Sequence, residues 1–276
     1  MTISTRNGFY KGGIILSLLS VGLMVAGGYF VFAACLQAAE AASFRPGWIA
    51  QALGDRLSPA AAVPFFTMLT AALYSLVSII LIYYFFENTR SPELLFFALF
   101  VMSLSFEFLR LIIPLRAVFP FPALYVITAS RLLLFARYFG LFSLFAASVY
   151  AAGLNVQRQQ NAVFIVALAA LIITIQIPID GIIWDSTLMP RSGYRAMFAV
   201  VEAGIGAVTA LTFFISAYTK GARSYVFIGV GSLLALAGRS LLIQSDTWFT
   251  PLPGFLALAV GTWLIASHLR REYLWL

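Results

Sequence analysis

The sequence has few of the residues from which a soluble surface, a metal site or a redox site is built. Only 10% of its 276 residues are charged, whereas an average soluble domain has about 25%. It has one cysteine, Cys35, and one histidine, His268. Disulfide frameworks, Cys/His zinc sites and redox pairs each need several such side chains, so we predict no metal and no cofactor.

Apolar residues, by contrast, are abundant. They make up 62% of the sequence, and the mean hydropathy is +0.97. Apolar runs of 18 residues or more recur along the whole chain, which is typical of a protein that lies in a lipid bilayer. In that setting the net charge of +7 indicates cytoplasmic Lys and Arg residues that attract anionic lipids, and we predict no nucleic-acid partner.

The apolar runs predict an all-α, polytopic transmembrane helical bundle that forms a single domain over residues 1–276. Unpaired backbone amides are costly in lipid, and the runs lack the alternation of barrel strands, so each is expected to be a helix. The eight predicted spans are 12–36, 61–86, 93–115, 123–152, 162–184, 194–217, 222–243 and 250–268.

Between the first two spans, the sequence predicts a short interfacial helix at 46–58. Pro46 opens this segment, Pro59 closes it, and its apolar residues fall on one helical face. Such a helix would lie on the outer leaflet, where it would brace the bundle or cover the mouth of a cavity.

The distribution of Lys and Arg over the connections predicts a multi-pass protein of the cell membrane with both termini in the cytoplasm. With that orientation the inner segments hold eight basic residues and the outer loops five. The inner ones are Arg6, Lys11, Arg90, Arg158, Lys220, Arg223, Arg270 and Arg271, and the outer ones are Arg45, Arg56, Arg116, Arg191 and Arg195. The first span is longer than a signal-peptide core, which favours a retained helix over a cleaved leader.

The chain also resembles itself at an offset of 129 residues. The segment SLSFEFLR (103–110) aligns with SLLALAGR (232–239), and Pro122 aligns with Pro251. Because each half contains four spans, this pattern predicts a 4+4 parallel internal repeat with halves 1–155 and 156–276.

Ionisable residues inside the spans are the main candidates for a functional site. A lone charge at the middle of the bilayer costs at least about 2.5–3.5 kcal/mol, so these residues are expected to pair with one another. From the direction of each span, most of them should converge on the outer half of the membrane. They are Glu107, Arg110, Arg131, Arg137, Asp180, Glu202 and Arg239.

These charges allow two interpretations. They could form ion pairs that join the helices, or they could line a polar cavity, open to the outside, that binds a carboxylate, phosphate or lipid headgroup. The surplus of arginine favours the cavity. Tyr125, Tyr138 and Tyr194 could add hydroxyl donors to it.

No family signature is present, and the absence of a catalytic set points away from an enzyme. The leading hypothesis is a receptor or sensor that binds a small anionic or amphipathic ligand and works with a separate membrane or cytoplasmic partner protein. The alternatives are a secondary transporter built from two four-helix repeats, a lipid-modifying enzyme that uses Glu107 or Glu202 as acid or base, and a structural membrane subunit.

Overall fold

A computed structural model confirms the all-α transmembrane fold. Eight helical spans in the described part of the chain are long and apolar enough to cross a membrane, so the protein is an integral membrane protein in contact with lipid. The structure describes residues 3–42, 59–86, 89, 91–119, 121–154, 159–245 and 247–274.

Each span is one helix except the third, which is broken into three pieces. The third span consists of an α-helix, a 3-10 segment and a second, shorter α-helix, which follow one another without a gap. In chain order the elements are α1 (Ile3–Ala42), α2 (Pro59–Phe86), α3 (Pro92–Leu104), the 3-10 segment (Ser105–Leu111), α4 (Ile112–Val118), α5 (Ala123–Ala151), α6 (Gln159–Gln176), β1 (Ile179–Trp184), β2 (Pro190–Ser192), α7 (Arg195–Lys220), α8 (Ser224–Ile243) and α9 (Pro251–Leu274).

The predicted end of the fifth span is wrong. The sequence predicted a helix over 162–184, but α6 ends at Gln176 and the chain continues as an antiparallel hairpin of β1 and β2. Pro178 explains the stop, because a proline disfavours helical backbone in the residue before it. The predicted interfacial helix at 46–58 lies outside the described residues.

The two ends of the bundle differ. At one end, which we call the terminal end, Arg6 near the start of α1 donates to the carbonyl of Phe86 at the end of α2, at 3.5 Å. Arg270, near the end of α9, lies over the Phe85 ring at the same level. The other end holds the β1–β2 hairpin, and we call it the hairpin end. Under the predicted orientation, the terminal end is cytoplasmic.

The third span is the centre of the bundle. In its most apolar 18-residue stretch, 72% of the residues are buried, whereas the corresponding shares in α6 and α7 are 17% and 22%. Phe96, Phe97 and Phe100 are fully buried on α3 and fill the terminal half of the core. The outer surfaces of α6 and α7 therefore face lipid or another protein.

Hydroxyl groups connect α1 and α2 to the third span. Ser17 and Ser75 share a hydrogen bond of 3.0 Å, and Ser75 also donates to the carbonyl of Val101 at 2.9 Å. Ser20 donates to the carbonyl of Ser105 at 2.6 Å. Such bonds between spans are worth roughly 0.6–2 kcal/mol each, so they fix the position of α1 without polar exposure to lipid.

Small residues let α8 and α9 approach almost to backbone contact. A Cβ added at Gly238 would lie 2.5 Å from the backbone nitrogen of Leu258 and 2.6 Å from the carbonyl oxygen of Gly254. One added at Gly261 would meet the carbonyl oxygen of Gly231 at 2.6 Å. This is the packing that small residues provide between membrane helices.

One set of helix contacts agrees with the predicted repeat, and another joins its two predicted halves. The third span packs extensively on α5, and α8 packs extensively on α9, and these are the helix pairs that the repeat equates. However, α5 also packs against α6 and α7, so the halves 1–155 and 156–276 share a large interface. The repeat stays a prediction.

Replacing Gly238 with Ala is expected to destabilise the protein. The new methyl group would overlap the α9 backbone and force the helices apart, at a cost of about 1–3 kcal/mol. Thermal unfolding of the purified protein in detergent measures this loss. Gly204→Ala is the matched control, because its Cβ would have no neighbour within 4 Å and alanine is the better helix former. Equal melting temperatures for the two variants would contradict the close α8–α9 contact.

Candidate functional site

The site begins with the 3-10 segment of the third span, which carries Glu107 and Arg110. In a 3-10 helix, side chains three residues apart eclipse each other, so the two point the same way. The Glu107 carboxylate and the Arg110 guanidinium lie 3.5 Å apart, and both side chains are about 2% exposed. The third span therefore presents an acid and a base side by side within the membrane.

Local sequence explains why the helix changes form here. Pro114 has no N–H, so it cannot donate to the carbonyl of Arg110 one turn before it. Ser103 and Ser105 donate their hydroxyl groups to the carbonyls of Phe100 and Met102, both at 2.7 Å, which competes with regular helical bonding. A 3-10 stretch of seven residues is unusually long, and such a stretch inside a helix marks either a functional hinge or a sequence under strain.

Arg137 on α5 forms the strongest contact of the site. Its Nε atom donates to Glu107 Oε1 at 2.8 Å, and its Nη2 atom donates to Glu107 Oε2 at 2.7 Å. Two parallel bonds of this kind combine charge with a fixed geometry. Gly140 makes the contact possible, because a Cβ there would collide with the Ser103 hydroxyl one turn away from the ion pair.

Arg239 on α8 joins the cluster through the backbone of α5. Its Nη2 atom donates to the carbonyl oxygen of Arg137 at 2.8 Å, and the side chain is 5% exposed. A backbone carbonyl has two lone pairs, so it accepts this bond beside its helical one. Among the side chains that the structure describes, no carboxylate lies within salt-bridge distance of Arg239.

The tip of the hairpin covers the cluster from the hairpin end. The carbonyl of Thr187, a buried residue, accepts a hydrogen bond from Nη2 of Arg110. Leu188 has a positive φ of 56° and packs beside Leu111 and Met68. A branched residue rarely adopts this conformation, so packing and the adjacent hydrogen bond must hold the tip in place.

Glu202 on α7 lies at the edge of the cluster. It is half-buried and interacts electrostatically with Arg137, Arg239 and the buried Tyr138. Glu107 and Glu202 both interact electrostatically with Arg137 and with Arg239. In the described part of the chain, no group of three His, Cys, Asp or Glu side chains is placed to hold a metal ion.

The structure therefore brings together Glu107, Arg110, Arg137 and Arg239, with Glu202 nearby. Arg131 does not join them: it is exposed on α5. It lies six positions before Arg137, which places the two side chains about 120° apart around the helix. Asp180 lies in β1 rather than in a span, and its side chain is outside the described part of the structure. Of the three candidate tyrosines only Tyr138 is buried, whereas Tyr125 and Tyr194 are exposed.

Two polar features of the protein, one at the site and one away from it, were not predicted from the sequence. The first is the hairpin tip, which supplies a backbone carbonyl and so leaves no signal in residue type. The break at Pro178 and the polar residues of 185–195 could have indicated a turn. The second is a group of buried polar residues at the terminal end, where Arg6 lies over the Tyr10 ring and Glu93 accepts a hydrogen bond from Ser91 at 2.7 Å.

Replacing Glu107 with Gln is expected to lower the free energy of unfolding by about 3–5 kcal/mol, because it leaves the Arg137 charge buried without its partner. Reversible unfolding in mixed micelles measures this change. The double variant Glu107→Gln/Arg137→Met should recover part of the loss. Arg131→Gln, at an exposed position of α5, should change stability by less than about 0.5 kcal/mol. A Glu107→Gln variant as stable as Arg131→Gln would refute the central role of the ion pair.

Comparison with known proteins adds no relative: no protein-family model, no curated protein and no solved structure matches the chain. The classification of the protein therefore rests on its own sequence and fold. By both, it is a multi-pass integral membrane protein made of helical spans.

Proposed function

We propose that the protein is a receptor or sensor that binds a small anionic or amphipathic ligand at the arginine cluster from the hairpin end. The observation that supports this most directly is the buried Arg239 guanidinium, which donates to a neutral carbonyl and has no carboxylate within salt-bridge distance among the described side chains. A charge buried without a full partner is costly, so an additional anion at this position would be favourable.

The chemistry of arginine defines the class of ligand. A guanidinium group presents planar donors that match a carboxylate or a phosphate in a two-bond arrangement. Arg110 and Arg239 each donate to a backbone carbonyl, which is a neutral acceptor. A ligand anion that replaced one of these carbonyls would form a stronger, charge-assisted bond.

The surroundings of the cluster favour access from the hairpin end. On that side the tip of a connecting hairpin covers it, and a loop segment moves more easily than a packed span. On the terminal side, α3 fills the core with large apolar side chains such as Phe96 and Phe100. A transporter needs a polar route to the terminal end, so this packing supports a receptor over a transporter.

A receptor also needs a route for its signal, and α6 and α7 offer one. They are the least buried spans, and α7 carries Glu202 at the edge of the cluster. A shift of α7 on ligand binding would reach a large exposed surface. In this proposal a partner membrane protein docks there.

Replacing Arg239 with Met is expected to abolish binding of anionic amphiphiles while the bundle stays folded. Wild-type protein should gain about 2.7 kcal/mol of stability from octanoate or octyl phosphate at a hundredfold excess over Kd, and nothing comparable from octanol. Met removes the bond to the Arg137 carbonyl together with a buried charge that has no salt-bridged carboxylate among the described side chains, so the two effects oppose each other and the variant should stay folded without probe. Thermal unfolding with and without each probe provides the measurement.

Arg131→Met is the matched control, since it removes the same charge from an exposed position of α5. It should keep the full response to both anionic probes. If neither probe stabilises the wild type, or if both variants respond alike, the cluster is a structural ion-pair network and the receptor proposal fails.

A further inference from the structure

A long apolar groove lies between α2 and α9, apart from the arginine cluster. Its volume is about 760 Å³, and its walls include the side chains of Leu73, Leu81, Phe255 and Trp263. Trp263 is 66% exposed within the protein, so the groove has a bulky apolar residue on its open side.

The groove follows most of the membrane thickness. On α2 it extends from Phe66 near the hairpin end to Phe85 at the terminal end. These residues are 19 apart in sequence, which corresponds to about 28 Å of helix, close to the roughly 30 Å of a hydrocarbon core. An occupant therefore needs to be long and thin rather than compact.

The interior of the groove favours an apolar occupant. Its few hydroxyl groups already have partners within the protein: Tyr74 and Thr262 bond to each other across it, and Thr262 also donates to the carbonyl of Leu258 at 2.8 Å. Ser267 donates to the carbonyl of Leu264 at 3.2 Å. An acyl chain, which has no polar groups to satisfy, matches this lining.

The terminal end of the groove is cationic. Arg270 lines it, with its guanidinium carbon 5.3 Å from the centre of the Phe85 ring. Among the described residues that line the groove there is no Asp or Glu. Glu272, two residues on, interacts electrostatically with Tyr225 of α8, and residues two apart on a helix do not face each other.

We propose that this groove binds an anionic phospholipid, with its phosphate on Arg270 and an acyl chain between α2 and α9. The charge lies where a headgroup would lie when the chain fills the groove. A second apolar cleft, between α5, α6 and α7, has no charged side chain among its described lining residues, and so none of these residues would select a headgroup. Under the predicted orientation, Arg270 faces the cytoplasmic leaflet, which is the one rich in anionic lipid.

The test uses Trp263 as a reporter in the purified full-length protein in detergent. Phosphatidylglycerol with brominated acyl chains should quench its fluorescence at lower concentration than phosphatidylcholine with the same chains. The part of the quenching that disappears in Trp263→Phe reports the groove. Arg270→Gln should weaken the phosphatidylglycerol effect about fivefold, the contribution of one cationic side chain at a membrane surface.

Two controls separate the groove from the bulk surface. Arg271→Gln removes an exposed neighbouring charge that is not part of the groove lining and should leave the lipid preference unchanged. Ala259→Phe fills the groove and should remove the Trp263 quenching, whereas Val260→Phe, on the exposed surface beside it, should not.

Equal quenching by the two lipids, or equal effects of Arg270→Gln and Arg271→Gln, would overturn the proposed headgroup site. Absence of Trp263 quenching by either lipid would also overturn it, because the groove would then be covered by a partner helix or a second copy of the chain.

Discussion

The ion pair between Glu107 and Arg137 is the interaction on which the rest of the bundle depends. Neither charge is tolerable alone at this depth, since an isolated one costs several kcal/mol in the membrane. Two parallel bonds of 2.7 and 2.8 Å join the third span to α5 at one level and allow little sliding. Arg239 then attaches α8 to the same point through the Arg137 carbonyl. The Glu107 carboxylate and the Arg137 carbonyl together thus hold three spans in register.

Close backbone contacts make this arrangement possible. The ion pair forms because α5 approaches the third span at Gly140, and Arg239 follows Gly238, where α8 approaches α9. Small residues bring helices near enough for long polar side chains to meet in the interior. The polar cluster therefore depends on the glycine contacts. Between membrane helices, van der Waals contact of this kind drives association, because lipid supplies no hydrophobic driving force.

Most of the fold could be predicted from the sequence, because spanning a bilayer imposes length, apolarity and helical form together. The predicted end of the fifth span was wrong because the apolar run continues past Pro178 into β1, and hydropathy alone does not distinguish a span from an apolar strand.

Within the site, depth and spacing indicated that Glu107, Arg110 and Arg239 would meet. The separate position of Arg131 follows from helix rotation, because residues six positions apart on a helix lie about 120° from each other. The hydrogen bond to the Thr187 carbonyl could not be predicted from the sequence, because it uses a backbone atom and depends on how a distant loop folds back.

The 3-10 segment has one more consequence, for the geometry of the span beyond it. Seven residues in 3-10 form rise about 14 Å and turn 120° each, whereas in α form they rise about 10.5 Å and turn 100° each. Conversion of Ser105–Leu111 to regular α-helix would therefore draw α4 inward by about 3.5 Å and rotate it by about 140°. Such a screw motion would move Glu107 and Arg110 from eclipsed positions to positions about 60° apart around the helix, and it would turn Arg116 around the rim of the hairpin end.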